Sequence, residues 1–162
     1  MNNKILVVFL YLLLIAGCTT NDSLQGQQEV KNVILMIGDG MGLNQVYAAY
    51  TAAKGKLNLE KAEYIGLSKT HSANSYETDS GAGGTAISTG EKTDDKNIGL
   101  DVNKKPLKTL LEIAEENSLS TGLVATSSIT HATPASFIAH QPSRYMYGAI
   151  ARDFIGSGID IF

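Results

Sequence analysis

The sequence predicts an α/β fold, a mainly parallel sheet flanked by helices. Three observations carry that expectation. Val33-Ile34-Leu35-Met36-Ile37 is a continuous apolar run stopped by Gly38-Asp39-Gly40, the pattern of a strand buried on both faces. Gly122 to Thr126 is a second short apolar stretch. Residues at helical spacing recur between and after these runs, and strands alternating with helices imply a parallel sheet covered on both sides. The chain has 162 residues, of which 43% are hydrophobic and 18% charged, so it suits one domain and is not a disordered chain. Lys and Arg number 13 against 16 Asp and Glu, too few for a basic nucleic-acid-binding footprint. A single Cys excludes an internal disulfide framework and a Cys-rich zinc module.

Residues 1–17 read as a signal peptide. Lys4 supplies the positive charge, and Ile5 to Ile15 is an apolar run of 11 residues, short of the roughly 20 that a spanning helix needs. Ile15-Ala16-Gly17-Cys18 resembles the bacterial lipoprotein cleavage box, which implies cleavage before Cys18 and a lipid on its sulfur. Residues 18–30 then form the lipid attachment point and a polar, flexible tether. The expected location is exported, in the periplasm or cell envelope, lipid-anchored. The remaining domain is 31–162.

After the first strand, Val46, Ala49, Tyr50 and Ala53 mark a helix over Leu43 to Ala53. Tyr64 to Leu67 is a weaker strand candidate. Ser80 to Thr89 is rich in small residues, which predicts a helix packed closely on its neighbours, with Gly90 as its stop. Thr93 to Lys105 is charged and polar and reads as a surface excursion. Pro106 sits where a helix begins. Leu107, Leu110, Leu111 and Ala114 give that helix one face, ending near Asn117. Ser143 to Phe154 is a further helix, with Tyr147, Ile150, Ala151 and Phe154 on one side. Gly158 to Phe162 reads as a strand just starting, so the sequence is expected to be the N-terminal piece of a longer protein.

Three segments carry candidate chemistry. Asp39 follows the first strand directly, flanked by Gly38, Gly40 and Gly42. Ligands of open α/β sheets bind beyond the carboxyl ends of strands, and an uncrowded carboxylate there suits a metal; the alternative is a turn or N-cap Asp. This is not a dinucleotide fingerprint, because Leu43 stands where the third Gly belongs. In Thr78-Asp79-Ser80-Gly81, a Ser at a helix start meets backbone N–H groups and the positive end of the helix dipole, favouring an alkoxide and a bound phosphate; the alternative is that Asp79 or Ser80 is simply the N-cap. In Thr130-His131-Ala132-Thr133-Pro134, His131 and Thr133 can face one site, and a hydroxyl suits a hard cation such as Mg²⁺. Arg144 offers a planar fork to a phosphate. His71 and His140 read as ordinary structural residues.

Taken together, these segments resemble the bacterial alkaline phosphatase family. Asn32 to Gly42 is similar to that family's first metal-binding strand. Thr78-Asp79-Ser80, continuing to Ser88-Thr89-Gly90, is similar to its nucleophile segment, and Thr130 to Ala135 with Arg144 to its magnesium and phosphate segment. The resemblance implies metal-dependent hydrolysis of phosphate monoesters through a phosphoserine intermediate, with Zn²⁺ and Mg²⁺ as cofactors. Ser80 would attack phosphorus, its oxygen held on zinc. Asp39 would bridge the zinc and the magnesium, and Thr133 would ligate magnesium. Asp79 would orient Arg144, which would grip two phosphate oxygens. His131 stands where some members carry Asp and others His, and would lie just beyond the direct ligands of the magnesium. The expected partners are phosphate monoesters, the membrane through the lipid on Cys18, and a second copy if the assembly is a homodimer. The family draws most zinc ligands from later in the chain, so these 162 residues are expected to bind metal weakly and to be inactive alone. The alternative is a non-catalytic, truncated envelope lipoprotein.

Overall fold

A computed structural model describes residues 30–162. The signal peptide, Cys18 and nearly all of the tether lie outside the described residues. The chain divides into two units at Ile37 and Gly38. No helix among the described residues is long and apolar enough to cross a membrane.

In the first unit, the expected strand Val33–Ile37 forms no ladder, and Val33, Ile34 and Met36 are each more than four-fifths exposed. An apolar run becomes a strand only when a neighbour pairs its backbone groups, and among the described residues nothing does so.

The regular elements of the second unit are helices, joined by long irregular segments with isolated bridges. Its elements are α1 (Leu43–Ala52), a 3₁₀ turn (Asn58–Lys61), α2 (Ser80–Thr89), α3 (Leu110–Glu116), α4 (Ala132–Ala135) and α5 (Tyr147–Phe154). The core is assembled from Ile98, Leu111, Ala132, Ala135, Phe137, Ile138, Ala139, Ile150 and Phe154, with Leu123, Ile129 and Ile159 packed at its margin. Helix α2 occupies the expected range and lies chiefly against α4. Its small residues allow the approach: a Cβ on Gly84 would come within 2.8 Å of the Ser136 hydroxyl and 3.0 Å of its Cβ. Polar groups are paired across the contact, Ser88 Oγ donating to the Ser136 carbonyl at 2.6 Å and Ser136 Oγ to the Gly81 carbonyl at 3.2 Å. Gly90 ends α2 at φ 79°, as expected of a left-handed helix stop.

Several expectations are corrected. The supposed surface excursion Thr93–Lys105 holds the buried residues Thr93, Asn97, Ile98 and Leu100. The polar pair can lie inside because each satisfies the other: Asn97 Nδ2 donates to Thr93 Oγ1 at 2.8 Å. Ile98 pairs in both directions with Gln141 as an antiparallel bridge. Pro106 does not open a helix but bridges Leu100. Helix α3 starts at Leu110 because Thr109 and Glu112 form a reciprocal capping box. Ser143 to Met146 forms a turn, and α5 begins only at Tyr147. Gly122–Thr126 is not a buried strand: only Gly122 bridges, in parallel with Ile161, and Val124 is 96% exposed. Tyr64–Leu67 forms no strand. Helix α1 occupies nearly its expected range but buries none of its residues.

Candidate active site

Asp39 sits in a tight glycine turn. The Met41 N–H donates to the Gly38 carbonyl at 3.1 Å and the Gly42 N–H to the Gly40 carbonyl at 3.0 Å. Gly40 takes φ 66°, a backbone state that costs an L side chain free energy. The N-cap of the following helix is Gly42, so Asp39 does not serve as the cap. Its carboxylate is instead shared between two distant hydroxyls. Ser80 Oγ donates to Oδ1 at 2.9 Å, and Thr133 Oγ1 donates to Oδ2 at 2.8 Å. One exposed carboxylate thus ties the start of α2 to the start of α4.

Asp79 is the N-cap of α2, its Oδ1 accepting from the Ala82 N–H at 3.0 Å. The same oxygen accepts from the Lys96 N–H at 2.9 Å. The other, Oδ2, accepts from Arg144 Nη1 at 2.8 Å, with both side chains largely buried. Burial pushes the Asp79 carboxyl up, but the N–H groups of Lys96 and Ala82 and the Arg144 guanidinium outweigh it and hold it below its ordinary value. Asp79 is therefore both a helix cap and the anionic partner of Arg144. The two sequence readings of that residue were not exclusive.

His131 is the N-cap residue of α4, but its side chain makes no capping bond. His140 and His71 lie elsewhere. The His140 ring faces the Gly99 carbonyl at 2.7 Å and Glu112 at 2.9 Å. His71 meets the Lys92 ammonium. Sequence reasoning missed the part that Lys96 plays beside Asp79. The turn-forming run Asp94-Asp95-Lys96-Asn97 was the available signal.

The donors at Asp39 are one carboxylate and two hydroxyls, an all-oxygen set that suits a hard dication as part of its shell. Among the described residues, no group of three or more His, Cys, Asp and Glu side chains is gathered to hold a metal.

The sequence profile described as alkaline phosphatase matches residues 30–157. The chain belongs to the alkaline phosphatase family. Alkaline phosphatase 4 of Bacillus subtilis is 43% identical over 145 residues, a match covering 83% of this chain and 31% of that protein. The solved alkaline phosphatase of the Antarctic bacterium TAB5 is 46% identical with a TM-score of 0.77, covering 80% of this chain and 38% of that one. A mutant of the TAB5 enzyme with Mg bound in its M3 site gives the same TM-score at 45% identity. The fold is thus that of the α/β alkaline phosphatases, and the chain spans about a third of the length of these relatives.

Proposed function

We propose that this chain is the N-terminal, nucleophile-bearing part of an enzyme that hydrolyses phosphate monoesters through a phosphoserine intermediate. The observation that carries the reading is the shared carboxylate: Asp39 accepts from Ser80 and Thr133 at 2.9 and 2.8 Å. Beside Ser80, Asp79 binds Arg144. Ser80 lies at the first position of α2, where unpaired N–H groups and the helix dipole favour anionic oxygen. Its hydroxyl is a weak nucleophile until deprotonated.

Asp39 and Ser80 would hold a zinc ion in part, and Asp39 and Thr133 a magnesium ion, with His131 nearby. Bound dications would supply the positive charge that stabilises the ionised Ser80 oxygen and the phosphate. This chain's own residues perform the rest. Asp39 places the Ser80 oxygen. Asp79 fixes the guanidinium so that the remaining N–H groups of Arg144 are available to phosphate oxygens. The helix start offers backbone donors to the same charge. Two or three oxygen donors make a thin zinc shell, which supports the view that these residues alone turn over slowly or not at all.

The segment Ile15-Ala16-Gly17-Cys18 supports export and a lipid anchor on Cys18 in the cell envelope; assembly as a homodimer remains part of the same reading. If Cys18 carries the lipid, Cys18→Ser blocks processing and fatty-acid labelling. A soluble wild-type protein with a different N-terminus would defeat that claim.

The decisive experiment is on Ser80. In the full-length enzyme, Ser80→Ala abolishes acid-trapped phosphoprotein and lowers kcat by roughly 10²-fold or more. A phosphoryl group mapped to any other residue would overturn the assignment.

A further inference from the structure

Lys96 lies at the third position of a turn closed by the Asn97 N–H on the Asp94 carbonyl at 3.2 Å. Its φ is 71°, a left-handed state that L residues seldom adopt. Turns of this kind ask for glycine at that position. Because of this state, the two backbone groups of Lys96 reach two site residues. Its N–H donates to Asp79 Oδ1 at 2.9 Å. Its carbonyl accepts from the Arg144 N–H at 2.8 Å. Arg144 Nη1 closes the circuit on Asp79 Oδ2 at 2.8 Å. Three residues far apart in sequence thus form a closed ring of hydrogen bonds, two of them made by the main chain of the third. The Lys96 side chain is exposed, and its ammonium has no ion-pair partner among the described residues.

We propose that Lys96 is a positioning residue that aims Arg144 at phosphate through its left-handed backbone, with no part played by its ammonium. The proposal rests on the reading of Arg144 as the phosphate grip. The ring fixes both ends of Arg144: the Lys96 carbonyl holds the backbone, and Asp79, itself held by the Lys96 N–H, holds the guanidinium. A residue that resists positive φ would open the turn and release both ends together.

The test uses inorganic phosphate as an inhibitor of the full-length enzyme. Lys96→Val, β-branched and costly at positive φ, raises the phosphate Ki roughly 3- to 30-fold, part of the about 10- to 150-fold loss expected when Arg144→Ala removes the fork. Lys96→Gly, the conservative variant for that backbone state, keeps the wild-type Ki. The double variant Lys96→Val with Arg144→Ala is no weaker than Arg144→Ala alone, since a residue acting through Arg144 has nothing left to aim. If the Val variant does not fold, Lys96→Thr, also β-branched, serves with a shift in the same direction. A Lys96→Gly variant as impaired as Lys96→Val would assign the effect to the ammonium and overturn the proposal. So would an undiminished Lys96→Val effect in the Arg144→Ala background. If Arg144→Ala itself leaves the Ki unchanged, the phosphate reading falls and this proposal with it, an outcome distinct from the other two.

Discussion

Helices α1 and α2 are each ten residues long, yet they stand at opposite extremes of burial. Helix α1 carries Leu43, Val46, Tyr47 and Tyr50 and buries nothing; α2 is Ser-Gly-Ala-Gly-Gly-Thr-Ala-Ile-Ser-Thr and buries five residues. Side-chain size did not decide which helix went inside. What decided it is the presence of a matching surface and the pairing of polar groups against it. Helix α2 has α4 a short distance away, reached by Gly84, and hydroxyls that find carbonyl partners across the gap. Helix α1 has apolar side chains with only a shallow surface made with Leu57, Leu59 and Ile65. Apolar area stabilises only when something removes it from water.

The sharpest way to break the comparison is to enlarge α2 at its closest approach. Gly84→Val drives a branched side chain into Ser136 and towards the Thr133 Cα, which lies 3.4 Å from where the added Cβ would sit. The expected cost is at least about 1–3 kcal/mol by denaturant unfolding. Thr133 should also draw away from Asp39, loosening their 2.8 Å hydrogen bond. A variant as stable as wild type would mean that the α2–α4 contact is loose.

A smaller effect comes from Ser88→Ala, which leaves the buried Ser136 carbonyl without the Ser88 donor. About 1–3 kcal/mol is expected, towards the lower end because the hydroxyl is removed along with its bond.

Glu112 sharpens the comparison through pH. Burial pushes its carboxyl up, but the Thr109 N–H and His140 outweigh that and hold it below its ordinary value of 4.5. A depressed folded value means the carboxylate contributes stability that is fully present above 4.5 and lost as pH falls through the lower, folded value. Glu112→Gln should therefore destabilise at neutral pH and flatten the acid limb of a stability–pH curve below about 4.5. An unchanged acid limb would show that another group sets it.

The smallest change belongs to α1. Val46→Ala removes no buried contact and is expected to shift stability by less than about 0.5 kcal/mol. A loss of several times that would reveal a surface that covers α1 in the full-length protein.

The same contrast explains what was legible in the sequence. The range of α2 was readable because its composition and Gly90 are local signals that the tertiary structure left in place. Asp39, Ser80, Thr133 and Arg144 could be singled out as candidates because their segments carry a family pattern, each stronger in company than alone. The strand at Val33–Ile37 was not realised, since pairing depends on neighbours that no local pattern contains. Thr93 and Asn97 misled because polar residues suggest a surface, while their mutual hydrogen bond lets both lie inside. Short α4 went unread, because four residues are too few to show a period. Lys96 escaped for a different reason. It acts through backbone groups that every residue possesses, so its identity carries no trace of the role.

The bond from Thr133 to Asp39 spans 94 residues. A ribosome adding about 5–20 residues per second needs roughly 5–19 s to travel that far, and Thr133 must then clear the exit tunnel. Ser80 follows Asp39 by 41 residues and is made first; until Thr133 emerges as well, Asp39 Oδ2 stays hydrated, without its hydroxyl partner. The loop-closure entropy for such a separation is met only once the later segment arrives. The site is therefore among the last features of this region to exist during synthesis. A nascent chain cut between Gly90 and Thr133 carries Ser80 and the whole of α2 but lacks half of what holds Asp39.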